Sequence, residues 1–127
     1  MPPDDSSRVL VVDDDALIRD TLATALTDEG YAVRVAPDGR AALQTLHEWL
    51  PDLIVLDLMM PVMDGHAFRV AQRDVDGASH IPVIVLSAAH NVQARAAALG
   101  ASAILPKPFD LTILLDEIER ALHWPPP

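Results

Sequence analysis

Four groups of polar residues stand directly after apolar runs. Asp13, Asp14 and Asp15 follow Val9–Val12, Asp57 follows Leu53–Leu56, and Ser87 follows Val83–Leu86. Lys107 follows Ala103–Leu105 across Pro106. Crowded carboxylates repel and raise one another's pKa. A divalent cation makes such crowding tolerable. A donor set of oxygens without His or Cys suits a hard ion, and Mg2+ fits best because it keeps waters and leaves room for a phosphate. A carboxylate can also act as a nucleophile and form an aspartyl phosphate. Phosphoryl transfer asks for positioning and charge neutralisation more than covalent help. A metal, an ammonium and a hydroxyl around one aspartate supply both. Taken singly, each residue has a plainer reading: a solvated loop with a helix cap for Asp13–Asp15, a strand-end acid for Asp57, a surface lysine for Lys107. The joint placement at successive strand ends carries the signal.

That placement requires the apolar runs to be strands. Val9–Val12 and Leu53–Leu56 are apolar at every position, as expected for strands covered on both faces. Tyr31–Val35, Val83–Leu86 and Ala103–Leu105 complete a set of five. Helical patterns alternate with them. Asp15–Glu29 carries the stripe Ile18, Leu22, Ala25 and Leu26, with Asp15 as its cap and Gly30 as its stop. Asp38–Leu50 turns Ala42, Leu43 and Leu46 inward and stops at Pro51. A helix near His66–Arg73 follows the Asp64-Gly65 turn, where Gly65 is expected to need positive φ. Asp74–His80 reads as a polar connection. Asn91–Leu99 is Ala-rich and closed by Gly100. Leu111–Leu122 spaces Leu111, Leu114, Leu115, Ile118 and Leu122 as one helical face. Five strand–helix alternations predict an α/β fold: a five-stranded parallel doubly wound sheet, flavodoxin-like (βα)5, in the order 2-1-3-4-5. In that order the acids after strands one and three meet. Ser87 and Lys107 flank Asp57 from the other side.

The chain has 127 residues, which suits one domain. Half of them are hydrophobic, enough for a sizeable core. Nineteen acidic residues against nine basic ones give a formal charge of −10. Nucleic-acid affinity rests on Lys and Arg at phosphates, so direct nucleic-acid binding is not expected. There are no cysteines, which excludes disulfides, thiolate metal sites and cysteine nucleophiles. The start, MPPDDSSR, has no apolar signal segment, and no run is long enough to span a membrane. A cytoplasmic setting is the expectation. Residues 1–7 read as a tail, 8–123 as the domain, and 124–127 as a proline-rich tail or the start of a linker. His47, His66, His80, His90 and His123 are scattered and read as surface. Met59, Met60 and Met63 read as loop and core packing rather than a thioether site. Trp49 and Trp124 read as partial packing.

VLVVDDD, DLIVLDLMMPVMDG, VIVLSA and LPKPF, in that order and spacing, resemble the receiver domain of two-component response regulators. The resemblance spans about Arg8 to Leu122. It implies that Asp57 is the phosphoacceptor. Asp13 and Asp14 would hold the metal, Mg2+, together with Asp57 and the backbone carbonyl of Met59. Ser87 would read the phosphoryl oxygens and Lys107 would pair with the phosphate. It also implies a cis peptide bond before Pro108, a histidine kinase or histidine phosphotransfer protein as donor, and a downstream protein target the sequence does not name. No turnover enzyme is implied, beyond self-phosphorylation from a small donor and loss of the phosphoryl group. Met59 and Ala89, two residues past Asp57 and Ser87, would flank the path of hydrolytic water.

Two features depart from the family pattern. The switch position three residues before the lysine, usually aromatic, is Ile104, a stiff β-branched residue without a polar tip. The charged pairs through which the winged-helix subgroup dimerises are missing around Asn91–Leu99, where Arg95 is the one charge. Two other readings stand beside the first. One is a degenerate receiver acting as an interaction module without phosphorylation. The other is a haloacid-dehalogenase-like phosphohydrolase, whose Asp-x-Asp pattern Asp13 and Asp15 would satisfy. That class needs further acids after its fourth strand, where this chain has Ser87-Ala88-Ala89-His90.

Overall fold

A computed structural model describes residues 7–60, 62–87 and 100–123. Its elements are β1 (Arg8–Val12), α1 (Ala16–Asp28), β2 (Ala32–Ala36), α2 (Gly39–Glu48), β3 (Leu53–Asp57), α3 (Gly65–Gln72), β4 (Val83–Ser87), β5 (Ala103–Pro106) and α4 (Leu111–Leu122). The helix expected at Asn91–Leu99 lies outside the described residues, as do Pro61, Ala88, Ala89, His90, residues 1–6 and residues 124–127, Trp124 among them. All strand pairs are parallel, in the order β2-β1-β3-β4-β5. This is the doubly wound sheet expected from the sequence.

Successive strand residues face opposite sides, and the core divides accordingly. Leu10, Val12, Ile54, Leu56, Val83 and Val85 point to one layer, where they meet Ala42 and Leu46 of α2 and Phe68 of α3. Val9, Val11, Leu53, Val55, Ile84 and Leu86 point to the other, against Leu22 and Leu26 of α1 and Leu114 and Ile118 of α4. Every residue of β3 and β4 is buried, so these strands are apolar throughout up to Asp57 and Ser87.

Each described helix starts at an aspartate cap. Asp15 Oδ1 accepts from Leu17 N at 2.9 Å, Asp38 Oδ1 from Ala41 N at 2.9 Å, Asp64 Oδ1 from Ala67 N at 2.8 Å, and Asp110 Oδ1 from Thr112 N at 2.8 Å. A carboxylate there satisfies amides that have no partner in the helix and complements the helix dipole. Part of the acidic excess is therefore structural.

Several boundaries shift. Asp57 and Ser87 are the last residues of their strands rather than the first beyond them. β2 runs one residue later than expected, and α2 ends at Glu48 because Trp49 turns extended, with φ −155°. The 74–80 connection is less polar than its composition suggests, since Val75 and Ala78 pack into the core. Gly30 closes α1 with φ +96°. Gly65 is a correction: it opens α3 without positive φ. A Cβ there would lie 2.9 Å from the Asp57 carbonyl oxygen and 2.9 Å from Leu58 Cα, so glycine is needed for close approach. The left-handed residue of this loop is Val62, at φ +68°.

Candidate functional site

The polar strand ends converge at the carboxyl edge of the sheet. β1 delivers Asp13, whose N–H donates to Ala36 O of β2 at 3.1 Å. Its Oδ1 accepts from Asp15 N at 2.9 Å, and its carbonyl accepts from Arg19 Nη1 at 2.9 Å. β3 delivers Asp57, whose Oδ1 accepts from Met59 N at 3.1 Å. On β4, Leu86 is the register partner of Asp57, which puts Ser87 one residue farther along. Lys107 N donates to Ser87 O at 3.2 Å, tying the turn after β5 to the end of β4. The Lys107–Pro108 bond is cis, as expected.

Lys107 Nζ sits 2.9 Å from Asp13 Oδ2 and 3.3 Å from Asp57 Oδ2. It bridges both carboxylates, and the closer one is Asp13, a contact the sequence reading did not anticipate. Asp13, Asp57 and Ser87 are buried, at 1%, 3% and 1% exposure, and Asp14 is exposed. Asp13, Asp14 and Asp57 each offer a carboxylate oxygen within 4.8 Å of the others. Three carboxylates against one ammonium leave a local surplus of negative charge. Asp13 Oδ2 is buried, and among the described residues its contact is the ion pair with Lys107.

This electrostatic load shifts two groups. Burial pushes the Asp57 carboxyl up from 3.8 to about 6, with the Asp13 charge adding to the rise; the Met59 N–H and Lys107 oppose it. Burial disfavours the Lys107 ammonium, yet its contacts with Asp13 and Asp57 prevail and raise its pKa. The three acids fit a hard divalent cation on chemical grounds: oxygen donors, excess negative charge, and buried carboxylates that share a single lysine.

The other expected residues fall as follows. Met59 has its N–H on Asp57 and its side chain 56% exposed. Ile104 pairs with Val85 in register and packs half-buried against the α2/α3 core layer. His47, His66, His80 and His123 are exposed. Trp49 packs partly on the core, and the guanidinium groups of Arg8 and Arg34 stand 5.6 and 5.1 Å from its ring centroid. Arg19 was not singled out by its position in the sequence. An arginine one turn beyond a capping acid is the signal that could have found it.

Comparison with known proteins agrees with this geometry. A family model described as the response regulator receiver domain matches residues 9–119. The response regulator MprA of Mycolicibacterium vanbaalenii is 42% identical over 118 residues, covering 91% of this chain and 50% of that protein. MprA of Mycobacterium tuberculosis is 41% identical over 120 residues, covering 93% and 51%. The chain thus spans about half the length of these curated relatives. Among solved structures, the chemotaxis protein CheY4 of Vibrio cholerae superposes with a TM-score of 0.84 at 35% identity, covering 91% of this chain and 98% of that one. The receiver domain of a signal transduction histidine kinase from Syntrophus aciditrophicus gives 0.85 at 28% identity, covering 95% and 93%. With its sheet order, its acidic cluster and a family match over nearly all of the folded chain, this protein belongs to the response regulator receiver domain family.

Proposed function

We propose that Asp57 accepts a phosphoryl group from a phosphohistidine of a histidine kinase or phosphotransfer protein, with Mg2+ as cofactor. One observation carries the reading: Lys107 bridges Asp13 and Asp57 inside a cluster that keeps more negative than positive charge. An Asp57 oxygen attacks phosphorus and forms the new O–P bond. The N–P bond to the donor imidazole breaks, and its electron pair leaves with the imidazole. Lys107 stands within reach of the charge on the transferred group, and Ser87 lies on the adjoining strand to bind a phosphoryl oxygen. Asp13, Asp14, Asp57 and the Met59 carbonyl would hold the cation. When bound, it supplies charge neutralisation for the transferring oxygens.

The chain acts by protein–protein contact rather than as a turnover enzyme. A cytoplasmic setting fits this role, and among the described residues no helix is long and apolar enough to cross a membrane. The formal charge of −10 speaks against a nucleic-acid surface on this domain. The test is labelling with acetyl phosphate and Mg2+. Wild-type protein should gain one hydroxylamine-labile acyl phosphate, and Asp57→Ala should gain none. Stoichiometric label on Asp57→Ala would overturn the assignment.

A further inference from the structure

The loop between β3 and α3 carries Met59, whose N–H already binds Asp57. It is clamped at two points. At its base, Gly65 N donates to Leu58 O at 3.1 Å, and Gly65 packs against Asp57 and Leu58 with no room for a Cβ. At its rim, the contact comes from a different element. Gly39, the buried first residue of α2, donates its N–H to Met63 O at 3.2 Å. A Cβ on Gly39 would lie 2.8 Å from Met63 O, 2.8 Å from Met63 Cγ and 3.0 Å from Met63 Cβ. Ordinary van der Waals contact begins at 3.4 Å, so the Met63 backbone would have to retreat by more than half an ångström.

Gly39 does not need to be glycine for its own backbone, since its φ lies outside the left-handed region. The approach of Met63 is what requires glycine. Between the two clamps, Val62 is held at φ +68°, a conformation that β-branched residues adopt only when their surroundings impose it. The loop is therefore set from outside itself, and α2 is one of the elements that set it. Asp38, capping α2 through Ala41 N, fixes where Gly39 stands.

We propose that Gly39 is a positioning residue for phosphoryl transfer at Asp57, acting through Met63 on the loop that carries Met59. This rests on the function proposed above. Sub-ångström displacement of a coordinating loop lowers reactivity steeply, more than the accompanying change in stability alone would. Chemistry and stability should therefore part company.

The experiment uses the full 127-residue chain. Mg2+ binding is followed by calorimetry, phosphorylation by acetyl phosphate is timed, and thermal stability is measured alongside. Gly39→Ala should weaken Mg2+ binding and slow labelling by about 10-fold, with a smaller loss of stability than the core deletion Leu46→Ala. Leu46→Ala, on the core face of the same helix, is the control. It should lower stability clearly and leave Mg2+ affinity and labelling rate of the folded protein near wild type. Wild-type Mg2+ affinity and labelling rate in Gly39→Ala would overturn the inference, and so would equal chemical losses in Leu46→Ala. Failure of the wild-type chain to label at Asp57 would instead overturn the underlying function.

Discussion

At the amino end of the sheet, Gln72 is fully buried and its amide is fully engaged. Nε2 donates to Ala78 O at 2.8 Å and Ile81 O at 3.4 Å, and Oε1 accepts from Arg69 Nη1 at 2.7 Å. Close by, Asp52 Oδ2 accepts from Arg8 N at 2.7 Å, and Arg8 and Arg34 flank the Trp49 ring. At the carboxyl end, Asp13 and Asp57 are just as buried, yet they share one lysine between them. The two ends belong to the same five strands. Burial of a polar group is costly unless it is paired. The amino end is paired for stability. The carboxyl end keeps unbalanced charge, which is useful where a cation and a phosphoryl group are to bind.

Removing Lys107 strikes this contrast hardest. Lys107→Ala leaves two buried carboxylates without their cation. Metal-free stability should fall, toward the low end of the ~3–5 kcal/mol seen when one partner of a buried pair is lost, because Lys107 is itself partly exposed. Mg2+ should restore much of that loss, and labelling should slow by about 100-fold. Denaturant melts with and without Mg2+ check the first point and timed acetyl phosphate labelling the second. A variant as stable as wild type without metal would erase the contrast between the two ends.

A pH series sharpens it. The folded-state pKa of Asp57 is raised to about 6, so the folded protein holds this proton more tightly than the unfolded chain, where the value is 3.8. Its contribution to stability is fully present below pH 3.8 and is lost as pH rises through about 6. The metal-free stability of wild type relative to Asp57→Asn should therefore decline between those pH values and level off above. Saturating Mg2+ should flatten the difference, because the cation favours the charged carboxylate. A difference that stays constant with pH would show that Asp57 carries no such load.

The amino end predicts the opposite pattern. Gln72→Met keeps the shape of the side chain but removes the donor to the Ala78 and Ile81 carbonyls. Leaving buried acceptors unsatisfied should cost about 2 kcal/mol. Neither Mg2+ affinity nor labelling should change. A chemical effect as large as the stability effect would mean that the two ends are not separable.

The same contrast explains what could be read from the chain. Strand runs such as Leu53–Leu56 and the helical stripe of Leu111–Leu122 were legible because a two-layer core imposes strict periodicity on its residues. Asp13, Asp57, Ser87 and Lys107 were legible because each sits at a fixed offset from a strand. The Lys107–Asp13 contact was hidden, since lysine reach depends on side-chain geometry rather than order along the chain. Gly65 meets a different demand from the one its turn suggests: close packing, not positive φ. A glycine needed for close packing and one needed for positive φ look alike in sequence, and Val62 shows that a β-branched residue can take the left-handed place when both flanks are held. Gln72 was hidden because its nearest carbonyl partner, Ala78, lies in a connection whose composition is polar, although Val75 and Ala78 are core.

The smallest effect belongs to the Trp49 stack. Arg34 lies on β2, an edge strand, with its guanidinium 5.1 Å from the ring centroid, and Arg8 stands at 5.6 Å. A cation over an aromatic face at an exposed site is worth ~0.5–1 kcal/mol. Because Arg8 remains over the ring, Arg34→Ala should cost about 0.5 kcal/mol. The charge change also makes an already acidic chain more negative, so part of the loss should be screened by salt. Arg34→Lys keeps the charge and gives up the flat guanidinium that stacks on the indole. Melts of both variants at low and high salt separate the two contributions. A loss shared equally by both variants and insensitive to salt assigns it to stacking of the guanidinium. A loss confined to Arg34→Ala and abolished by salt assigns it to charge alone, and the Trp49 stack then contributes nothing to the stability of the amino end.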